Sequence, residues 1–396
     1  MDLDKLRGAP VAVSRCEEYD EPLIEELLTS QFASVGADGS FFGGKRVVLK
    51  PNLVSAKKPE DAVTTHPAVV EAVCRLVKKM GAADVVLAES SGGPYNAAFM
   101  NRILDVTGMK DVSARTGLPL NDDYSSVSIP FAEGKKLKNV EVLTPVAESD
   151  VIVNICKLKT HSLTGLSCAT KNLFGVIPGV TKFEMHAAYP DQDDFCRMLV
   201  DLNLSLLGTR EVLNVCDAVV AMEGNGPTHG TPVPMGCLMT SRSAFALDVV
   251  AEHAASIEGM AKYLDIAAEL GLVPREADGV NVINCKTEQI GQKKLSPPDS
   301  KKKSFSMRIL TGMPNLFGGR FSRFFEPRPS VNRKKCIGCG NCARVCPEKT
   351  IIMKKTKGKK LAKIKRNKCI RCFCCQELCP HGAVDTLKNP LIKLIH

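Results

Sequence analysis

The chain of 396 residues has no tryptophan, and aromatic residues make up only 5% of it. Platforms for stacking bases are scarce, and no aromatics interleave with its lysine runs, so nucleic-acid binding is not expected. Nowhere do about 18 apolar residues run together, which leaves no candidate transmembrane segment. Residues 1–30 are charged and lack the apolar centre of a secretory leader, so cytoplasmic residence is expected. Nucleotide signatures are missing too. Gly39-Ser-Phe-Phe-Gly-Gly44-Lys45 fits the start of a phosphate-binding loop, but Arg46 stands where a hydroxyl must meet magnesium, and the stretch precedes a strand instead of following one. No G-x-G-x-x-G follows a strand in the opening part of the chain.

Cysteine is abundant. Of 17 cysteines, nine lie between positions 336 and 379. They contain one spacing twice: Cys336-Ile-Gly-Cys339-Gly-Asn-Cys342-Ala-Arg-Val-Cys346-Pro347, then Cys369-Ile-Arg-Cys372-Phe-Cys-Cys375-Gln-Glu-Leu-Cys379-Pro380. Each copy is C-x2-C-x2-C-x3-C-P, in which three thiolates on a tight loop reach three corners of one iron-sulfur cubane and the fourth turns away. Disulfides or structural zinc also use cysteine, but eight in this doubled register, each copy closed by proline, argue against both. The pattern resembles the two-cluster bacterial ferredoxins. That resemblance implies two [4Fe-4S] clusters with crossed ligands: Cys336, Cys339, Cys342 and Cys379 for one, and Cys369, Cys372, Cys375 and Cys346 for the other. Cys374 is off register and reads as a bystander. The stretch between Cys346 and Cys369 reads as a hairpin, with apolar residues alternating with lysine in its second strand.

Charge is unevenly placed. Residues 331–396 hold 17 Lys and Arg against 3 Asp and Glu, whereas residues 1–295 hold 29 against 38. A basic tail on an acidic body suits docking of an acidic redox partner, ferredoxin- or flavodoxin-like, or of the tail on its own body. The division expected is a body at 1–295, a basic linker or strap at 296–330 that opens with Ser296-Pro-Pro and carries arginines among phenylalanines from Phe305 onward, and a cluster domain at 331–390.

In the body, Val- and Ile-rich runs alternate with helical patterns. Pro10 to Ser14, Lys45 to Lys50, Asp84 to Glu89, Asp150 to Cys156, Val212 to Val220 and Val280 to Asn284 read as strands. Glu21 to Ala33, Thr64 to Lys79, Asp194 to Leu207 and Ser243 to Ile257 read as helices, and Ser162 to Gly175 as one more. The fold class expected is α/β, a mostly parallel sheet with flanking helices, followed by a small C-terminal α+β ferredoxin-like domain.

Polar residues gather at the predicted strand ends, where open α/β sheets bind ligands. They are Asn52, His66, Lys157, Lys159, His161, Lys171, Asn172, His186, Asp217, Glu223, Asn225 and His229. Singly, each has an ordinary role as a solvated loop residue or helix cap. A strand emptying into Lys157-x-Lys159-x-His161, with Lys171-Asn172 ten residues on, is harder to explain that way. Lys50-Pro51-Asn52, Thr64-Thr65-His66-Pro67, Asn154-x-x-Lys157-x-Lys159-Thr160-His161, Lys171-Asn172-x-Phe174-Gly175, Asp217 with Glu223-Gly-Asn-Gly-Pro227, and Ala246-Leu-Asp248 resemble the recurring blocks of the family called domain of unknown function 362, over residues 45–290. The resemblance implies the fold and a cluster-bearing companion domain, and brings no reaction with it.

The residues themselves suggest an iron-sulfur oxidoreductase. Lys157, Lys159 and Lys171 would hold an anionic small molecule, His66 or His161 would move protons, and Asn52, Asn172, Asp217, Glu223 and Asn225 would complete the site. One pocket is expected, with His66 and the loop from Glu223 to His229 on its rim. The alternative is a carrier or assembly factor in which the histidines with Asp217 and Glu223 ligate a metal.

Overall fold

The computed structural model describes residues 6–285, 290, 293–301, 327–356 and 358–387. The phenylalanine- and arginine-rich part of the expected strap, from Phe305 to Phe325, lies outside the described residues, as does Lys357. The body is an α/β fold around one sheet. Its strands are β1 Val11–Arg15, β2 Arg46–Pro51, β3 Asp84–Leu87, β6 Val151–His161, β7 Gly165–Ser167, β8 Glu211–Asn225, β9 His229–Ser241 and β10 Val282–Ile283, in the order β10-β1-β9-β8-β6-β2-β3 with β7 paired to β6. A separate hairpin joins β4 Ser126–Pro130 to β5 Asn139–Leu143.

The centre of the sheet, β8-β6-β2-β3, is parallel, as strands joined through helices must be. β9 was not expected as a strand; it runs antiparallel between β8 and β1 and makes the sheet mixed. Helices α1 Glu21–Ser34, α2 Pro67–Lys79, α3 Ala97–Val106 and α4 Met109–Thr116 bury one side with Val151, Val153 and Ile155 of β6. Helices α5 Gly179–Ala188, α6 Gln192–Leu207, α7 Ala244–Ala254 and α8 Lys262–Glu269 lie in the half of the chain that covers the other side, where Ile152, Cys156 and Leu158 are buried. Local chemistry sets the helix starts. Asp20 accepts from Leu23 N–H before α1, and Pro67, which needs no backbone partner, opens α2.

Two expectations about this region are corrected. β6 does not stop at Cys156 but carries Lys157, Lys159 and His161 inside the sheet, buried along its whole length. Ser162 to Gly175 is not one helix. It holds β7, the short helix Ala169–Asn172 and a 3-10 turn, because Gly165 turns the chain at φ +86° where a Cβ would meet Met260 O at 2.2 Å.

The C-terminal domain is small and α+β. β11 Arg328–Val331 pairs with β14 Val384–Leu387, and β12 Ile351–Thr356 with β13 Lys359–Ile364, the expected hairpin. Short helices Asn341–Arg344 and Cys374–Glu377 follow the cysteine loops.

Candidate functional site

The carboxyl ends of β2 and β6 and the short helix Ala169–Asn172 meet in a chain of amides. Lys159 Nζ donates to Asn52 Oδ1 (2.7 Å), Asn52 Nδ2 to Asn172 Oδ1 (2.8 Å), Asn172 Nδ2 to Asn154 Oδ1 (2.8 Å) and Asn154 Nδ2 to Asn214 Oδ1 (2.8 Å). Each buried amide finds a partner, which fixes its orientation and that of the lysine it receives. The outer members of this chain, Lys159, Asn52 and Asn172, line a pocket together with His161, Lys171 and His186. Five of the ten expected catalytic and binding residues of the body are thus brought together.

The walls also hold residues the sequence reading missed. Glu89 follows β3 and pairs with buried Lys50, and Lys182 of α5 donates to Ser90 O. Glu89 could have been found by the same strand-end rule that found Asn52; nothing local marks Lys182. Gly175 lies against the Lys50–Glu89 pair, where a Cβ would fall 2.4 Å from Glu89 Oε1. Only glycine lets the backbone pass so close to the charges.

Cations dominate the pocket. Burial brings Lys159 and Lys182 down to about 7 from 10.5, and it also lowers Lys171, whose ammonium sits 4.3 Å from the centre of the Phe174 ring. His186 stacks on Phe195 and is lowered to about 3 by burial and by Lys171. Burial and the neighbouring lysines hold His161 well below its ordinary value. His161 Nδ1 accepts from Leu163 N–H and Thr164 N–H, so its proton is on Nε2.

Lys157, Asp217 and His66 form a separate, closed group outside this pocket. Lys157 Nζ donates to Asp217 Oδ2 (2.9 Å) and to Tyr19 OH (2.7 Å), Tyr19 OH donates to Asp217 Oδ1, and His66 N–H donates to Asp217 Oδ2. The His66 ring lies 3.6 Å from that of Tyr19, its Nδ1 accepts from Ala68 N–H at the start of α2, and burial lowers it to about 4. His66 is a helix cap here, and is not on the pocket rim. Lys157 is neutralised by Asp217.

The expected loop from Glu223 to His229 is the end of the β8-β9 hairpin; it reaches the pocket wall through Pro227 alone, and its polar residues serve instead as a seat for the tail. Glu223 accepts from Ser296 N–H; Asn225 and Asp299 bond to each other twice. Thr228 donates to Glu377 O, and His229 Nε2 lies 2.8 Å from Cys379 O. Ser162 adds a bond to Gln376. The tail so held adds Cys374, Glu377 and Leu378 to the pocket wall that the body's lysines also line.

Within the tail, Cys336, Cys339, Cys342 and Cys379 line one cavity and Cys346, Cys369, Cys372 and Cys375 another, the crossed grouping expected. Gly338 (φ +79°) and Gly340 (φ +82°) shape the first loop, and Arg371 and Phe373 (both φ +61°) take the same places in the second. Two non-glycine residues in that region are costly, on the order of 1 kcal/mol each, so the loop shape itself is under constraint. Ala383 N–H donates to Cys379 Sγ and Thr350 N–H to Cys346 Sγ. Four thiols around a cavity with N–H groups aimed at sulfur fit a [4Fe-4S] cubane.

Fold and cysteine sets together define an iron-sulfur protein with an α/β body. The chain belongs to the family described as "Domain of unknown function (DUF362)", matched over residues 47–253, and residues 335–383 match a 4Fe-4S dicluster domain. It is 29% identical over 325 residues, 80% of this chain and 94% of the relative, to the thylakoid-associated protein sll1697 of Synechocystis sp.. Among solved structures it is similar to the lactate racemase apoprotein from Thermoanaerobacterium thermosaccharolyticum, at 13% identity and a TM-score of 0.40, over 64% of this chain and 59% of that one. A Thermotoga maritima protein follows at 12% identity and a TM-score of 0.35, over 65% of this chain and 60% of that one. No helix among the described residues is long and apolar enough to cross a membrane.

Proposed function

We propose that this protein is an oxidoreductase that binds an anionic substrate or cofactor between body and tail, beside the second of two [4Fe-4S] clusters. The observation that carries the reading is the shared pocket: Lys159, Lys171 and Lys182 from the body line it together with Cys374 and Glu377 from the tail. Cys374 stands two residues from Cys372, which lines the second four-cysteine cavity. When bound, the clusters supply single electrons. The body's part is to bind charge and deliver protons. Lys159 and Lys182, poised near neutrality, suit that role better than His66 or the neutral His161. His161 Nε2–H serves as a hydrogen-bond donor.

Electron entry is assigned to the outer face of the tail. There Ile337 is 66% exposed, Cys339 is exposed, and the loop at Gly338 abuts Lys360 of the basic hairpin. An acidic redox protein fits that face. The assignment of 1–295 to the body, 296–330 to a linker and 331–390 to the cluster domain, with cytoplasmic residence, belongs to the same proposal; burial of Leu295 in the body core supports the first boundary.

The test uses anaerobically reconstituted, dithionite-reduced protein titrated with sulfate and with small carboxylates while the electron paramagnetic resonance of the clusters is followed. Binding should perturb one of two cluster signals, and Lys159→Met should remove the response with iron content intact. Tight anion binding that leaves both signals unchanged would sink the reading.

A further inference from the structure

β6 and β8 run parallel with Cys156 directly opposite Cys216. Cys168 stands immediately before the short helix Ala169–Asn172. All three are fully buried. Cys168 Sγ lies 3.6 Å from Cys156 Sγ and 3.5 Å from Cys216 Sγ, and the three sulfurs lie within 4.8 Å of one another. Among the described residues no other trio of His, Cys, Asp or Glu donor atoms converges in this way. The histidines, Asp217 and Glu223 do not.

A buried cysteine is ordinarily a small apolar filler. Filling alone gives no reason for sulfurs from two strands and a helix start to meet at one point, since S–H groups are weak donors and weak acceptors. A metal does. With metal–sulfur bonds of about 2.3 Å, the thiolates of one site sit roughly 3.7–4 Å apart, close to the spacing seen here. The donor set is all sulfur, which selects soft ions over magnesium, calcium or manganese.

We propose that Cys156, Cys168 and Cys216 form a three-thiolate site for one thiophilic d10 ion, zinc(II) or copper(I), distinct from the cluster cysteines. Binding exchanges the thiol protons for the ion, so it is coupled to folding and releases acid. The two ions differ in what they ask of Asp248. Its Oδ1 accepts from Ala169 N–H and its Oδ2 from Thr170 N–H and Tyr263 OH. A carboxylate has about four lone-pair sites, so one stays free for a fourth bond. Zinc, which prefers four ligands, would have to draw that oxygen in, since no Asp248 oxygen lies within 4.8 Å of all three sulfurs; copper(I) would stay with three sulfurs. Either ion pins the start of the helix that carries Lys171 and Asn172 into the anion pocket. The site is thus a brace behind the pocket wall.

The experiment is metal analysis of the full chain with its clusters in place, prepared anaerobically and treated with a chelator to strip surface ions. The expected result is one zinc or copper per chain, lost in Cys168→Ala with iron content unchanged, and lowered thermal stability in that variant. X-ray absorption at the edge of the retained metal, on the unaltered protein, should give a shell of three sulfurs, with one oxygen added for zinc. That measurement holds even where a variant fails to fold. Absence of stoichiometric zinc or copper after refolding with either ion, or equal retention by a variant with all three cysteines changed to alanine, would overturn the site.

Discussion

The pocket lysines make a prediction with a defined slope. Lys159 and Lys182 are each held at about 7 by burial. An anion that needs both ammoniums sees a competent fraction of about 0.8 at pH 6, about 0.25 at pH 7 and about 0.01 at pH 8, and its apparent dissociation constant scales inversely with that fraction. Sulfate is the right probe, since its own charge does not change in this range. Its affinity by calorimetry should weaken about 3-fold from pH 6 to 7 and about 30-fold from pH 7 to 8. Lys182→Met should cut these to about 2-fold and about 5-fold. His161 and His186 also face the pocket, but both are lowered, so neither gains a proton in this window. Lys171, Glu89 with Lys50 paired behind it, Cys374 and Glu377 face it too. Lys171 is lowered as well, chiefly by burial. An affinity flat within about twofold from pH 6 to 8 would refute the reasoning.

Stability obeys the same linkage. Unfolded lysines titrate near 10.5, so between pH 7 and 10.5 the unfolded chain holds protons that the folded pocket lacks, and folding becomes more favourable as pH rises through that window. Below pH 7 the cost of charging is present in full, on the order of 4–5 kcal/mol for each buried lysine. A bound anion offsets that cost. The rise in Tm on adding sulfate should therefore be largest at pH 6–7 and vanish by about pH 9.

Three further outcomes are expected. Anaerobic protein should contain about eight irons and eight acid-labile sulfides, and Cys372→Ala should remove one cluster and weaken the other through the crossed ligands; four irons after full reconstitution would count against two cubanes. Asp217→Asn should strand the Lys157 ammonium, which is only 1% exposed, and lower stability to urea by about 3–5 kcal/mol, whereas a loss under about 1 kcal/mol would mean the ion pair is not buried in solution. Lys359→Gln with Lys360→Gln should slow reduction by an acidic electron carrier as added salt does, because exposed charges are screened beyond about 8 Å at physiological ionic strength; rates indifferent to both changes would remove the steering role.

The cysteine spacing was legible because cluster ligation is written in local sequence, and the βαβ alternation because period-2 and period-3.6 patterns are local too. The pocket residues Asn52, Lys159, His161, Lys171 and Asn172 were legible through one rule, that ligands gather at strand ends. That rule fails where polar groups at a strand end satisfy one another. Lys157 looks like Lys159 in sequence, yet it meets Asp217, 60 residues on, and leaves the site. His66 was marked by the proline after it, which announced the helix start, but a capping imidazole has spent its Nδ1 on the helix. β9 was hidden by Pro232 and Pro234, which ordinarily break a central strand. They fall in its first half, alongside the outer end of β8, while Cys237 to Ser241 lie between β8 and β1 inside the sheet.

Cys374 shows where sequence reasoning stops. Set against the doubled motif, it has no partner position and so reads as a bystander, which is sound for cluster ligation. Its place on the pocket wall depends on how the tail sits, and the tail is held by Thr228 to Glu377 O and His229 against Cys379 O. Both acceptors on the tail are main-chain carbonyls. Every residue carries one, so these two bonds leave no mark in the tail's side chains; Gln376, whose Oε1 accepts from Ser162 Oγ, adds a side-chain contact, but nothing local sets it apart. The side chains that do carry the signal, Thr228 and His229, sit about 150 residues upstream, in a stretch whose glycines and proline suggest a loop. If this docking sets the pocket, His229→Ala with Thr228→Val should weaken sulfate binding and uncouple it from the cluster signals, while iron content and the Lys157–Asp217 pair stay intact. Unchanged sulfate affinity in that double variant would mean that the body alone forms the site.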